Sequence, residues 1–327
     1  MKAILVDENK SLHWSDVADP VVGPEDVLVK IHAAGVNRAD LMQREGNYPP
    51  PPGCPDWMGL EIAGTIVEVG PEAAEKSTWK VGDKVCALLG GGGYAQYVNV
   101  KYDMLMPIPE NCTMEEAAGM PEAFATAYLN LFIEGKVQPG NTFLITGGNS
   151  GLASVAIPLA KAFGIRVITT VRGKEKVEAI RHLNADLVVD TREENLEQVL
   201  LQQLEAGTGV DVAIDCLGGE NVGKYLHCLK HGARWIMIAA LAGQKTEIDL
   251  KNVYVRNVRL IGSTLRSRAP EVKAQILAEL VEKVWPKVAA GEVKPTIFKV
   301  LPITQAEDAH DLLYKSASAG KVILTVE

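Results

Sequence analysis

Between Thr142 and Gly164 the chain reads TFLITGGNSGLASVAIPLAKAFG. Within it, Gly148-x-Ser150-Gly151-x-Ala153 has the spacing of the dinucleotide fingerprint G-x-G-x-x-G/A, with Ser at the middle position and Ala at the last. The chemistry such a turn supports is anion binding. Backbone N–H groups at a helix start have no partner within the helix, the helix dipole adds positive charge there, and small side chains let a pyrophosphate approach. About twenty residues after the fingerprint, where a NAD-binding unit carries an acid for the ribose hydroxyls, the chain instead reads Val171-Arg172-Gly173-Lys174-Glu175-Lys176. Cations in that place argue for a 2′-phosphate, and so for NADPH. The competing readings are a packing turn and a solvated basic turn.

The elements that must position these groups follow from the pattern around them. Thr142–Thr146 reads as a strand, Leu152–Phe163 as a helix and Arg166–Val171 as a second strand. Pro158 removes one N–H from that helix and is expected to kink it. Further on come a helix at Lys174–Leu183, a strand at Leu187–Val189, a helix at Leu196–Ala206, and strands at Val210–Ile214, Arg234–Ile238 and Val258–Gly262. This alternation implies an α/β fold, a Rossmann-like doubly wound parallel sheet, with ligands at the carboxyl ends of its strands. Those ends are Thr146–Ala153, Arg172, Cys216–Gly219, Ala239–Gly243 and Ser263–Arg268.

The first third is β-rich, with strands expected at Val27–Ala33, Ile62–Val69, Lys84–Leu89 and Tyr94–Val98 and a helix at Arg38–Arg44. Tyr48 precedes the run Pro49–Pro52, and Gly90–Gly93 forms a mobile loop or a wide turn. Toward the end, Pro270–Gly291 has helical periodicity, with Pro286 bending or breaking it. Thr304-x-x-Glu307 reads as a capping box, and Lys321–Val326 as a last strand.

The whole chain has 327 residues, which suggests two domains, and a net charge of −8 that argues against a nucleic-acid surface. No stretch is long enough to span a membrane, and the N-terminus reads as a first strand and not a signal peptide. Five scattered cysteines without a Cys-x-x-Cys pair point to reduced thiols and a cytoplasmic protein.

Several local stretches carry a resemblance that spans the chain. Gly35–Gly46 with Tyr48 and the prolines, Met120–Tyr128, Asp215–Gly219 and Leu265–Arg268 are similar to the zinc-independent NADPH:quinone oxidoreductases of the medium-chain dehydrogenase/reductase superfamily, and within them to the p53-inducible branch. The resemblance implies a β-rich GroES-like catalytic domain over 1–120 and 266–327, and a Rossmann-like NADPH-binding domain over 121–265. It aligns the catalytic zinc ligands of alcohol dehydrogenases with Asn37, Leu60 and Glu122, of which Leu60 cannot ligate and Asn37 is a poor donor, so no metal is expected.

The resemblance also distributes roles. It sets Tyr48 and Asn37 at the nicotinamide and acceptor, with Tyr48 either a hydrogen-bond donor to the developing oxyanion or a lining aromatic, and Asn37 first a helix N-cap. Ser150 stands where relatives have glycine and could add its hydroxyl to a phosphate or to the reacting centre. Ser150, Gly151, Leu152 and Ala153 fall at the pyrophosphate, Arg172 and Lys176 near the 2′-phosphate, and Thr191 where relatives often carry a tyrosine. Thr126, Ala239, Ala240, Leu241, Ala242, Thr264, Leu265 and Arg266 fall at the nicotinamide end, although Arg266 is also readable as a solvent-facing charge. The activity implied is hydride transfer from NADPH to small-molecule quinones. An enoyl-thioester or alkenal double-bond reductase and a low-turnover NADPH-binding sensor or crystallin-like protein are the alternatives. A homodimer, or a tetramer, pairing at the Val258–Gly262 edge is implied as well.

Overall fold

The computed structural model describes residues 1–315 and 319–327. The chain divides into two compact units, Met1–Ala125 with Arg266–Glu327, and Thr126–Leu265.

In the second unit six parallel strands lie in the order Leu187–Asp190, Arg166–Val171, Thr142–Ile145, Val212–Asp215, Arg234–Met237, Arg259–Gly262. Numbered by appearance this is 3-2-1-4-5-6, the doubly wound order. Its strand order reverses between Thr142–Ile145 and Val212–Asp215, and the turns after those two strands flank the switch point. Both strands are buried along their full length, as the near-continuous apolar runs of an enclosed parallel sheet require. Asp215, fully buried, anchors the second turn: its carboxylate accepts from Thr146 Oγ1, from the amides of Leu217 and Gly218, and from Trp235 Nε1.

The first unit is built on a seven-stranded sheet and a two-stranded ribbon, Lys2–Val6 with Leu12–Asp16. The long strand Asp26–Val36 is its axis. It pairs antiparallel with Glu61–Val69 on one side and, at opposite ends of the other side, with Lys321–Thr325 and Tyr97–Lys101. Register places Val36 opposite Val322 and Ala34 opposite Ile62, so the ends of three strands, carrying Asn37, Glu61 and Lys321, converge. Gly35 makes this possible, since a Cβ there would collide with Glu61 Oε1 and come within 2.7 Å of the Ala118 carbonyl.

Three expectations change. The Tyr94–Val98 strand runs instead from Tyr97 to Lys101, because Tyr94 turns wholly inward to a buried polar cluster. The Thr304/Glu307 capping box is not formed: a 3₁₀ turn, Ile303–Gln305, precedes the helix Ala306–Tyr314, and Glu307 is drawn away to Arg44 Nη2 (2.6 Å) and the amide of Leu12 (2.8 Å). The helix expected over Lys174–Leu183 stops at Ala179, with Arg181–Leu183 a 3₁₀ turn. The helix Ala153–Ala162 contains Pro158. Pro286 acts as anticipated, dividing its segment into Pro270–Lys283 and Trp285–Ala289.

Candidate active site

The phosphate-binding turn of the second unit is shaped by two glycines. Gly147 has φ +72°, a left-handed conformation open to glycine, and a Cβ on Gly148 would collide with Thr169 Oγ1 on the neighbouring strand. The Gly148 amide is committed to the Thr170 carbonyl (2.8 Å), and Ser150 Oγ accepts from the Ala153 amide (3.1 Å), so the serine caps the incoming helix. The amides of Gly151 and Leu152 have no acceptor among the described residues. Two unspent donors beside a ten-residue helix whose first turn carries no acid are what a dinucleotide pyrophosphate needs.

The neighbouring turn bears the cations. Asp190, at the end of the outermost strand, accepts from the amides of Gly173 (2.7 Å) and Arg192 (3.0 Å), and these bonds hold its carboxyl below the ordinary carboxylate range. They fix the turn in which Arg172 is exposed and Lys176 half-buried, neither with an ion-pair partner among the described residues. Thr191 is exposed, and its hydroxyl donates to the Val171 carbonyl at 3.1 Å. On the far side of the switch point, the Cys216–Gly219 and Ala239–Gly243 loops are zipped by Leu241 N to Cys216 O (3.2 Å), Ala242 N to Leu217 O (2.7 Å) and Gly219 N to Gly243 O (2.7 Å). Ala240, Leu241, Ala242 and Thr264 are exposed, Ala239 is half-buried and Leu265 is buried. Thr126 begins this unit, where its carbonyl accepts from Asn130 Nδ2 (2.8 Å) at the point where the helix widens to a π-helical turn.

In the first unit the converging strand ends hold a buried ionic cluster. Lys321 Nζ lies 2.5 Å from Glu61 Oε1 and 2.7 Å from Asn37 Oδ1, while Asn37 Nδ2 donates to Glu61 Oε1 at 3.0 Å and the Glu122 amide donates to Glu61 Oε2 at 2.9 Å. Lys321 is 3% exposed and Glu61 fully buried, so each charge depends on the other. Asn37 also holds the N-cap position of helix Arg38–Arg44, its amide donating to Asp40 Oδ2 at 2.7 Å. Asp40 further accepts from the Gly59 amide and the Tyr94 hydroxyl, yet full burial pushes its carboxyl up to about 6. Beyond Tyr94 lies His310 Nε2 at 3.4 Å, a ring that burial drives down to about 3 and so keeps neutral.

Glu122 closes the cluster, and burial together with the Glu61 charge pushes its carboxyl up to about 8. Because its folded value lies above the ordinary 4.5, the stability it contributes is complete below pH 4.5 and is lost as pH rises through 8. Glu122→Gln is therefore expected to leave stability unchanged at pH 4 and to raise it by up to about 5 kcal/mol at pH 9, read from urea unfolding at the two pH values. A gain of the same size at both would contradict the shift.

Tyr48 sits after the helix Arg38–Arg44, half-buried. The Arg266 guanidinium lies 4.8 Å from its ring centroid and donates to its carbonyl at 3.1 Å. Its hydroxyl has no partner among the described residues.

Two family models match the chain, "Alcohol dehydrogenase GroES-like domain" over residues 23–110 and "Zinc-binding dehydrogenase" over residues 151–283. The quinone oxidoreductase of Mus musculus is 30% identical over 316 residues, covering 95% of this chain and 92% of that protein. The chain belongs to the medium-chain dehydrogenase/reductase superfamily. Within that superfamily, the quinone oxidoreductase of Homo sapiens is also 30% identical, over 95% of this chain and 92% of its own length. A mycobacterial protein solved in complex with NADPH superposes with a TM-score of 0.87 at 26% identity, covering 99% of both chains. An alcohol dehydrogenase superfamily protein of Novosphingobium aromaticivorans superposes with a TM-score of 0.84 at 29% identity, over 100% of this chain and 99% of the other.

The superfamily includes enzymes with a catalytic zinc, and the three positions that the resemblance aligns with its ligands do not supply a tetrahedral donor set. Of the three aligned positions, Leu60 is apolar and buried, and the Asn37 oxygen is taken by an ammonium, which repels a dication. Among the described residues no group of three His, Cys, Asp or Glu side chains stands close enough to hold a metal.

Sequence reasoning had singled out Tyr48 and Asn37 but not the ion pair behind Asn37. No motif in the sequence gives a role to Asp40, Glu61, Tyr94, His310 or Lys321. The available signal was an ionisable residue heading each of two apolar strands, Glu61 in EIAGTIVEV and Lys321 in KVILT. A charge at the start of a buried strand needs an opposite charge.

Proposed function

We propose that the protein is a cytoplasmic, zinc-independent NADPH:quinone oxidoreductase of the p53-inducible branch. The observation that carries the reading is Tyr48, whose ring and carbonyl are held by Arg266 while its hydroxyl is bound to nothing among the described residues. A phenol fixed at its base and unspent at its tip is a donor awaiting an acceptor. The names of the relatives, quinone oxidoreductases in mouse and human, and the NADPH complex of the mycobacterial protein support the substrate class and the cofactor.

NADPH when bound supplies a hydride. The amides of Gly151 and Leu152 bind its pyrophosphate beside Gly148, Ser150 and Ala153, and Arg172 and Lys176 bind the 2′-phosphate alongside Thr191. Thr126, the Ala239–Ala242 loop, Thr264 and Leu265 would line the nicotinamide end, as the resemblance implies. A quinone spreads the charge delivered with the hydride over its own ring, so no metal is needed to receive it. Tyr48 donates to the oxyanion as it forms, and solvent supplies the proton that completes the hydroquinone. Asn37, locked by Lys321 and Glu61, presents a fixed polar wall.

A homodimer is part of this reading. The strand Arg259–Gly262 is a sheet edge, and Leu250, Tyr254 and Val255 nearby in sequence are 71%, 68% and 53% exposed, an apolar surface of the sort that pairing covers.

The test is NADPH oxidation against ortho- and para-quinones, enones and a short enoyl thioester, with NADH in parallel. The expected result is turnover of quinones with NADPH, and about a tenfold rise in the KM for NADPH but not for NADH in Arg172→Ala. Preferential turnover of the enoyl thioester would favour the double-bond reductase. Tight NADPH binding with no turnover on any acceptor would leave the sensor.

A further inference from the structure

Arg266 stands at the start of the chain's return to the first unit and is 7% exposed. An arginine this enclosed spends its donors on something. Nε donates to the Gly90 carbonyl at 2.9 Å, Nη2 to the same carbonyl at 2.6 Å and to Gln43 Oε1 at 2.7 Å, and Nη1 to the Tyr48 carbonyl at 3.1 Å. The guanidinium plane also covers the Tyr48 ring. Three segments that are separate in sequence meet on this one planar group: the last turn of helix Arg38–Arg44, the Tyr48 segment before the prolines, and the first residue of the four-glycine run Gly90–Gly93.

We propose that Arg266 is a positioning residue for Tyr48. The inference rests on the reading of Tyr48 as the donor to the acceptor oxygen. Tyr48 follows Gly46, a glycine in the left-handed region (φ +80°), and lies outside regular secondary structure, so its own segment does not fix the ring. Arg266 fixes it at two points, the backbone carbonyl and the ring face, and references both to Gly90 and Gln43. A planar fork is suited to this, because it makes parallel hydrogen bonds at its edge while its face stacks on an aromatic ring, and a lysine cannot do both. Four hydrogen bonds spent inside the unit, together with the stacked face, set this arginine apart from Arg172, whose exposed guanidinium has no ion-pair partner among the described residues. Its work is to hold the phenol that meets the acceptor, and the cofactor does not depend on it.

The test is a double-mutant cycle of Arg266→Gln and Tyr48→Phe, with kcat and the KM for NADPH measured for quinone reduction. Arg266→Gln is expected to lower kcat about tenfold with the KM for NADPH unchanged, and to change kcat less than twofold in the Tyr48→Phe background, where no hydroxyl remains to be placed. An equal loss in both backgrounds would overturn the proposal in favour of a purely structural role. A raised KM for NADPH at constant kcat would overturn it in favour of cofactor binding, and no loss in either background would overturn it outright. If Tyr48→Phe alone leaves kcat unchanged, the donor reading fails and the proposal falls with it, which the single variant reveals separately. Should Arg266→Gln not fold, Arg266→Lys, which keeps the cation and loses the fork, is read in the same cycle with the same criteria.

Discussion

Tyr48→Phe is expected to lower kcat for quinone reduction about a hundredfold, with the KM for NADPH unchanged. The substitution removes one oxygen and keeps the ring, so the stacking on Arg266 and the bond from Arg266 to the residue's carbonyl are retained. What is lost is one donor aimed at charge that exists in the transition state and not in the bound quinone, a loss typically worth ~3 kcal/mol. Burial raises the Tyr48 hydroxyl above its ordinary value, against the opposing pull of Arg266, so the phenol keeps its proton through the neutral range and remains a donor. Steady-state kinetics over pH 6–8 checks this, and a loss of less than threefold would make Tyr48 a lining residue.

Lys321→Met is expected to destabilise the protein by about 4 kcal/mol, since it leaves the fully buried Glu61 carboxylate without its counter-charge. Glu61 keeps the hydrogen bonds from Asn37 Nδ2 and the Glu122 amide, but two neutral donors do not replace an ammonium 2.5 Å away. The double variant Lys321→Met/Glu61→Gln removes both charges and should recover most of the loss, because the penalty belongs to the uncompensated ion and not to the absence of the pair. Urea unfolding of the two variants and the parent decides it. If Lys321→Met is as stable as the parent, the cluster is solvated and Asn37 is not held as described.

Where neighbours in sequence determine structure, the sequence was a good guide. Arg38–Arg44 was legible as a helix because Asn37 and Asp40 supply its start locally, and Pro286 was legible as a break because a proline, lacking the N–H, is well placed in the first turn of a new helix. The glycine turn was legible because the close approach of Thr169 to Gly148 belongs to one strand-turn-helix unit and its adjacent strand. Long-range partners overrode local signals elsewhere. Glu307 had the spacing of a capping box, but Arg44 and the amide of Leu12 took its carboxylate. Tyr94 had the look of a strand residue, but Asp40 and His310 gave its hydroxyl a buried destination. The pairing of Glu61 with Lys321 joins strands 260 residues apart in the chain, and although each charge heads an apolar strand, no local pattern tells it which partner it has. Arg266 was legible as a charge after a strand, while the carbonyls that enclose it come from the first hundred residues.

The central claim is that hydride passes from NADPH to a quinone without a metal. The most direct measurement is quinone-dependent NADPH oxidation by protein dialysed against a strong chelator, with zinc per chain determined on the same sample. The account predicts undiminished turnover at a zinc content far below one per chain. Activity lost on chelation and restored by added zinc would contradict it.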